Sequence, residues 1–283
     1  MALGRALLVL GRASNLPTVW SNCLVAYALG GFMSWAALMP VLLGATFFYL
    51  GGMYLNDAFD VGFDRRYRQE RPIPSGAIQE RTVWILGVLQ LMIGMIFFSA
   101  MSQVPWSLSL LLTATIIVYN ALHKTVSFSP ILMSLCRFVL FLSAASIGVK
   151  GITGLALWSA LALAGYIIGL SYVAKRESSG GLIGYWPCLL LAFPPILAFL
   201  VNVGSFRTSG LVLIAIYTLW TGHCLWQFYG RTPPNIGRGV SRLLAGIVIT
   251  DLLALGSGDL RWTLMLTGLF IGALVFQRFI PAT

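Results

Sequence analysis

Ten apolar segments alternate with short polar stretches along the chain. They cover residues 16–36, 38–58, 82–101, 105–121, 130–149, 155–174, 183–203, 208–229, 242–257 and 262–281. A membrane-spanning helix needs about 20 mostly apolar residues, because backbone polar groups in hydrocarbon must be satisfied within the segment. The pattern therefore predicts an all-α fold, a multi-pass transmembrane helical bundle. The ninth segment is short and contains Asp251, so the pattern allows nine or ten spans.

Composition supports a membrane protein and excludes several other classes. Hydrophobic residues make up 58% of the 283 residues and charged residues only 9%, whereas soluble domains carry about 25% charged residues. The four cysteines lie in apolar segments without CxxC spacing, which argues against a disulfide framework or a zinc site. The longest polar interruption, about 60–81, is too short for a separate soluble domain. We therefore expect a single transmembrane domain over residues 1–283.

Membrane topology explains the net charge of +10 better than nucleic-acid binding does. With an inner N-terminus and ten spans, fourteen of the 18 Lys and Arg residues fall on one side of the membrane. Three fall on the other side, and Arg137 lies within a span. Basic loops are typical of the cytoplasmic side. The loops after the second, fourth, sixth and eighth segments are therefore predicted to be cytoplasmic.

The loop after the second segment contains five of the eight acidic residues. Asp57, Asp60 and Asp64 follow Asn56 with i, i+3 and i+7 spacing, which places them on one face of a continuing helix. Like charges on one face repel unless a cation lies among them. Mg²⁺ commonly binds one or two carboxylates and the oxygens of a substrate phosphate. These four residues are therefore candidate metal ligands, although a solvated helix end paired with neighbouring arginines is the alternative.

Arginines follow directly after the carboxylates. Arg65, Arg68 and Arg71 precede the turn residues of a Pro-Ile-Pro-Ser-Gly sequence. Arginine can bind phosphate through two parallel hydrogen bonds, so a metal site followed by arginines favours a diphosphate ligand. The alternative is an ordinary turn that carries positive-inside arginines.

The sequences NDAFDVGFD and RPIPSG resemble the first signature of the UbiA superfamily of intramembrane prenyltransferases. This resemblance implies a UbiA-like bundle that uses Mg²⁺ to transfer a polyprenyl group from an allylic diphosphate to an electron-rich small-molecule or lipid acceptor. It implies catalytic roles for Asp57, Asp60 and Asp64. It also adds Lys124, in the sequence YNALHK, to the diphosphate-binding candidates. The sequence SNLPTVWSN further resembles a bacterial, EboC-like branch, which implies a bacterial cytoplasmic membrane with the site open to the cytoplasm.

The second signature of the family is altered in this chain. Where the family has two aspartates four residues apart, this chain has Ser171 and Lys175, followed by Arg176 and Glu177. We expect the Lys175 ammonium to replace a metal ion beside the diphosphate and to act in catalysis. Arg176 is a further diphosphate candidate, and Glu177 a further metal candidate. A plain basic loop at the end of the sixth span is the alternative.

Three polar residues in apolar surroundings are candidates for an acceptor site or an internal cavity. Arg137 lies within a span, where a buried cation costs about 2.5 kcal/mol or more and needs a partner or a cavity. Asn15 and Asn22 flank the start of the first segment. A structural ion pair is the alternative for Arg137.

Other membrane classes fit the sequence less well. The CDP-alcohol phosphotransferases need a glycine directly after the second aspartate and a later DxxxD, and this chain has neither. A non-enzymatic transporter would also have many spans, but its broken helices should recur in two halves. A catalytically degenerate UbiA-like protein that only binds lipid diphosphate is the remaining alternative, because of the altered second signature.

Overall fold

The computed structural model describes residues 3–175, 185–231, 235–256 and 259–282, except for the side chain of Lys175. Within these residues the chain forms α-helices and no strand, which confirms the all-α prediction. The helices are α1 (Leu3–Leu10), α2 (Leu16–Leu29), α3 (Trp35–Phe59), α4 (Val61–Tyr67), α5 (Glu80–Ile96), α6 (Trp106–Leu122), α7 (Ser129–Ser146), α8 (Gly154–Lys175), α9 (Trp186–Leu190), α10 (Phe193–Val201), α11 (Arg207–Tyr229), α12 (Ile236–Leu255) and α13 (Leu260–Phe279).

Helix α2 lies at the centre of the bundle. It packs against α3, α7, α12 and α13, and ten of its 14 residues are buried. Helix α3 packs against α5 and α6, and the remaining helices continue the bundle through α7, α8, α10 and α11. Gly30 and Gly31 end α2, and Gly31 has a φ of +90°, which favours glycine. The central helix is therefore short and has neighbours on all sides.

The described helices differ from the predicted spans in three places. Six of them are long and apolar enough to cross a membrane, so the count of nine or ten spans is not confirmed. The first segment forms a helix of only 14 residues. The seventh is divided into α9 and α10, because Pro194 and Pro195 cannot continue the hydrogen bonds of α9. The ninth is not short, since α12 has 20 residues and starts at Ile236.

Glycines allow α3 and α5 to approach closely. A Cβ atom at Gly51 would lie 2.9 Å from the carbonyl oxygen of Gly87, and one at Gly87 would lie 2.8 Å from Leu55. A Cβ atom at Gly94 would lie 3.0 Å from the Phe48 ring. Small residues at such positions bring helix backbones together in membranes. This contact fixes the position of α3, which carries the acidic residues at its C-terminal end.

A second close contact joins the loops at the other end of α2 and α7. Lys150 N donates to Gly30 O at 2.7 Å, and Val149 N donates to Gly31 O at 3.0 Å. A Cβ atom at Gly148 would overlap the backbone of Gly30. The two loops can therefore pair only because both positions lack a side chain.

Replacing Gly148 by alanine is expected to destabilise the protein by about 1–3 kcal/mol, because the loops must separate. The measurement is thermal unfolding in detergent. Gly154→Ala is the matched control, since no atom lies within 4 Å of a Cβ atom built there. Equal melting temperatures for the two variants would contradict this account of the loop contact.

Candidate functional site

The acidic residues lie where α3 ends and α4 begins. Asn56 and Asp57 are in the last turn of α3 and are buried. The helix breaks at Asp60, whose backbone stays near helical geometry with φ −84° and ψ −5°. Asp64 then lies in the short helix α4 and is also buried. The three carboxylates therefore do not lie on one continuing helix, as their spacing predicted, because α3 ends before Asp60 and Asp64 belongs to α4.

Asp57 faces two arginines that come from different parts of the chain. Its Oδ1 is 3.4 Å from Arg12 Nη2, and its Oδ2 is 3.6 Å from Arg71 Nη1. Arg12 Nη2 also donates to Asn56 Oδ1 at 3.1 Å. Neither Asp57 Oδ2 nor Arg12 Nε, both buried, has a hydrogen-bond partner among the described residues. Buried polar atoms are usually hydrogen-bonded, so these two atoms indicate a place for a polar ligand.

Asp60 faces the turn after α6. Its Oδ1 is 2.9 Å from Lys124 Nζ and 3.1 Å from His123 Nε2. Burial alone would raise the pKa of the Asp60 carboxyl, but the hydrogen bonds from His123 and Lys124 outweigh it and hold the pKa below its usual value. Lys124 also lies 3.9 Å above the Phe63 ring. Asp60 therefore links the end of α3 to the end of α6.

Asp64 forms no ion pair within 4.0 Å among the described residues. Burial raises the pKa of its carboxyl above the usual value, and the nearby guanidinium of Arg71 opposes that rise. Across the described part of the chain, no three His, Cys, Asp or Glu side chains come close enough to hold a metal ion by themselves. Any ion bound here would need ligands from elsewhere.

The loop between α4 and α5 positions Arg71. Ser75 N donates to Arg71 O at 3.0 Å, and Ala77 N donates to Pro72 O at 3.0 Å. Ile73 and Ile78 are buried against Tyr54 and the last turn of α1. The loop is therefore folded back onto α3, and this brings Arg71 next to Asp57.

Arg12 is positioned by an unusual backbone conformation. Its φ of 42° and ψ of 47° are left-handed, which is uncommon for a residue other than glycine. Arg12 lies between α1 and α2, and its side chain reaches the end of α3. Such conformations often occur at functional sites.

Arg137 and Asn22 contact each other further along α2. Arg137 Nη1 donates to Asn22 Oδ1 at 2.7 Å, and Asn22 Nδ2 donates to Asp251 Oδ2 at 2.7 Å. Asn15 donates to Ala282 O at 2.9 Å, and its buried Oδ1 has no partner among the described residues. The three polar candidates therefore meet at α2: Asn15 directly precedes it, Asn22 lies on it, and Arg137 reaches it from α7.

The sequence of the chain matches a known protein family. Residues 14–181, more than half of the chain, match the family described as UbiA prenyltransferase family. The chain belongs to the UbiA prenyltransferase family. The resemblance inferred from the acidic and proline-containing motifs is thereby confirmed.

Relatives and solved structures of the UbiA family agree with this assignment. The chain is 38% identical over 84 residues to a digeranylgeranylglyceryl phosphate synthase from Pyrococcus horikoshii, covering 26% of this chain and 30% of that one. It is 34% identical over 113 residues to the synthase of the same name from Methanothrix thermoacetophila, covering 37% and 42%. These matches thus span less than half the length of the curated relatives.

The fold resembles a solved UbiA homologue from Archaeoglobus fulgidus, described as bound to GPP and Mg²⁺. The TM-score is 0.67 at 18% identity, covering 93% of this chain and 99% of that one. At this level of sequence identity, the comparison establishes a shared fold alone. These relatives do not test the narrower resemblance to the EboC-like branch, which stays a prediction.

The structure brings together some of the predicted site residues and not others. Arg71 and Lys124 lie beside the carboxylates, and Arg68 is exposed nearby. Arg65 instead pairs with Glu80 at 3.0 Å on the surface. Arg176, Glu177 and the side chain of Lys175 lie outside the described residues. Ser171 of the altered second signature is buried and donates to Met133 Sδ at 3.3 Å.

Two residues at the site are not among the sequence candidates. One is Arg12, whose left-handed conformation cannot be read from the sequence. The other is His123, whose ring lies against Asp60. Its position beside Lys124 was the available signal, because neighbouring residues at a helix end can reach the same carboxylate.

Proposed function

We propose that this chain is an intramembrane prenyltransferase that transfers a polyprenyl group from an allylic diphosphate, bound with Mg²⁺, to an electron-rich acceptor. We propose further that residues 1–283 form one domain for this activity. The supporting observation is the group of facing charges at the ends of α3 and α6. Asp57, Asp60 and Asp64 face Arg12, Arg71 and Lys124 there.

The charges of this site favour joint binding of a cation and an anion. Three carboxylates face three side chains that are positive at neutral pH, so the site is close to neutral without ligands. A cation bound alone would be repelled by the arginines, and an anion bound alone would be repelled by the carboxylates. When Mg²⁺ and a diphosphate bind together, each can take the partners of opposite charge. We therefore expect each ligand to strengthen binding of the other.

The donor set fits Mg²⁺. Asn56, Asp57, Asp60 and Asp64 supply oxygen atoms only, which hard divalent cations prefer. No three acidic or imidazole side chains among the described residues form a complete metal cage. This agrees with an ion that completes its coordination with water and diphosphate oxygens. When bound, Mg²⁺ would neutralise charge on the diphosphate oxygens.

The residues of the chain itself have separate tasks in the proposed reaction. Breaking the allylic carbon–oxygen bond places negative charge on the departing diphosphate and positive charge on the prenyl carbon. Arg12, Arg71 and Lys124 stabilise the negative charge. The apolar side chains of α2 and α3 exclude water from the prenyl cation until the acceptor attacks. The acceptor then loses a proton, and diphosphate leaves.

The proposal also covers the identity of the acceptor and the side of the membrane on which the site opens. The curated relatives are named digeranylgeranylglyceryl phosphate synthase, so a glyceryl phosphate lipid is the first acceptor to test. The basic loops support a site open to the cytoplasm. Those relatives are archaeal, and a bacterial cytoplasmic membrane stays a prediction from the sequence.

The experiment that tests this function uses purified protein and geranylgeranyl diphosphate. We expect binding that requires Mg²⁺ and is abolished by a chelator, together with release of diphosphate when geranylgeranylglyceryl phosphate is added. Binding without turnover of any acceptor would favour the degenerate diphosphate binder, for which the altered Ser171 position is the supporting observation. Absence of Mg²⁺-dependent binding would overturn the proposal.

Two arginines of the same loop region provide a matched comparison. Arg71→Ala is expected to weaken Mg²⁺-dependent binding of geranylgeranyl diphosphate by about 10-fold or more, because a buried charge-assisted contact is lost. Arg65→Ala should change it by less than about twofold, since Arg65 is exposed and pairs with Glu80. Equal losses in both variants would argue against a specific role for Arg71.

A further inference from the structure

The guanidinium of Arg137 has a specific set of partners inside the bundle. Nη1 donates to Thr18 O at 3.1 Å and to Asn22 Oδ1 at 2.7 Å. Nη2 donates to Thr18 Oγ1 at 3.1 Å. All three bonds go to α2, so Arg137 is held in one orientation by the central helix.

These bonds leave part of the guanidinium without a partner. Arginine has five N–H groups, and the bonds to Thr18 and Asn22 use three of them. The two bonds to Thr18 occupy the edge between Nη1 and Nη2. Among the described residues, nothing accepts a hydrogen bond from Nε–H or from the second Nη2–H. The free edge is therefore the one between Nε and Nη2, which can bind a carboxylate or phosphate with two parallel hydrogen bonds.

No carboxylate neutralises Arg137 directly within the described part of the chain. No Asp or Glu oxygen there lies within 4.0 Å of its nitrogens. The nearest compensation comes from Asp251 on α12, which is 1% exposed and reaches Arg137 only through the Asn22 amide. Ser21 Oγ also donates to Asp251. Asp251 thus lowers the cost of a cation in the membrane while the free edge of Arg137 stays available.

The free edge lies deeper in the bundle than the carboxylate site. The Tyr49 ring centroid is 5.6 Å from Arg137 Cζ, and the Tyr49 hydroxyl donates to Arg12 O at 3.3 Å. Tyr49 therefore lies between the two arginines. Along α3 it precedes Asn56 by seven residues, or about 10 Å. Arg137 is only partly buried, so its side chain keeps surface that a ligand can contact.

We propose that the Nε–Nη2 edge of Arg137 binds the anionic group, a phosphate or a carboxylate, of the prenyl acceptor. This inference rests on the proposed function. The diphosphate takes the cations at the end of α3, and a second anion site about 10 Å deeper serves a second anionic substrate. The fixed orientation of the guanidinium selects an acceptor with a planar or multi-oxygen anion at one end.

The experiment compares charged acceptors with uncharged analogues. One pair is geranylgeranylglyceryl phosphate and geranylgeranylglycerol, and the other is 4-hydroxybenzoate and phenol. Binding is measured in the presence of Mg²⁺ and a non-reactive thio analogue of geranylgeranyl diphosphate. We expect wild-type protein to bind the charged member of one pair about 30-fold more tightly or better, and the identity of that pair distinguishes a phosphate from a carboxylate.

The Arg137→Gln variant should lose this preference, to about threefold or less, while its Mg²⁺-dependent affinity for geranylgeranyl diphosphate stays within about threefold of wild type. Arg207→Gln is the control, because the side-chain hydrogen bonds of Arg207 among the described residues go to Phe199 O and Asn202 O. If Arg137→Gln does not fold, Arg137→Lys is used, which keeps the charge without the bidentate edge and should reduce the preference about 10-fold.

Two results would overturn this inference. One is equal binding of the charged and uncharged members of both pairs by wild-type protein. The other is an unchanged preference in the folded Arg137 variant. Failure of the proposed function is distinguishable, because it would appear as loss of Mg²⁺-dependent diphosphate binding in wild-type protein.

Discussion

Asp57→Asn is expected to weaken Mg²⁺-dependent binding of geranylgeranyl diphosphate by about 100-fold or more. Asp57 is the carboxylate that meets both Arg12 and Arg71, and its Oδ2 is buried without a hydrogen-bond partner among the described residues. Removing one member of a buried charged group typically costs about 3–5 kcal/mol, because the remaining charges lose their compensation. The measurement is a binding isotherm with and without Mg²⁺.

Glu80→Gln is the matched control for Asp57→Asn. Glu80 is an acidic residue of the same region, but it forms an exposed pair with Arg65. We expect its affinity to stay within about twofold of wild type, because exposed ion pairs contribute little. A similar small effect in both variants would show that the carboxylate of Asp57 does not hold the ligand.

The second large effect is expected for Arg12→Ala. Arg12 contacts Asn56, Asp57 and Met53, and its Nε has no partner among the described residues. We expect geranylgeranyl diphosphate to bind about 30-fold more weakly or worse, because a charge-assisted contact is lost and Asp57 keeps less compensation. Turnover of any acceptor should fall by a similar or larger factor.

The control for Arg12 is Arg5→Ala, which alters an exposed arginine of α1. Arg12→Lys keeps the positive charge but not the fork of N–H groups, so it should recover only part of the affinity. If Arg5→Ala and Arg12→Ala weaken binding equally, general attraction by basic residues explains the result, and the specific contact with Asn56 does not.

The sequence predicted the parts of the site that depend on local spacing. Asn56, Asp57 and Asp60 share one helix end, so their proximity followed from helical geometry. Arg12 is 44 residues away from Asn56, and only tertiary packing of α1 against α3 brings it close. His123 reaches Asp60 across a gap of 63 residues for the same reason. Periodicity and motifs therefore did not predict the contacts at the site between helices that are distant in sequence.

For the fold, too, local sequence patterns predicted some features and missed others. Hydropathy located α3, α5 and α8 closely, since each is a continuous apolar run. The break between α9 and α10 depends on Pro194 and Pro195, and the apolar run alone gave no sign of it. The N-terminal part of α12 contains Arg238 and Arg242, so hydropathy underestimated its length. Hydropathy finds apolar surface, and it misses helix ends that are polar or interrupted.

The glycine contact between α3 and α5 limits how the entrance to the site can change. Because the backbones touch at Gly51 and Gly87, α3 cannot slide past α5 without a collision. The position of the acidic end of α3 is thus fixed by its packing against α5. We expect any widening that admits a long prenyl chain to involve α6 and α7 instead, because the turn between them carries His123 and Lys124. Spectroscopic distance probes on that turn should therefore record larger changes on ligand binding than probes on α5.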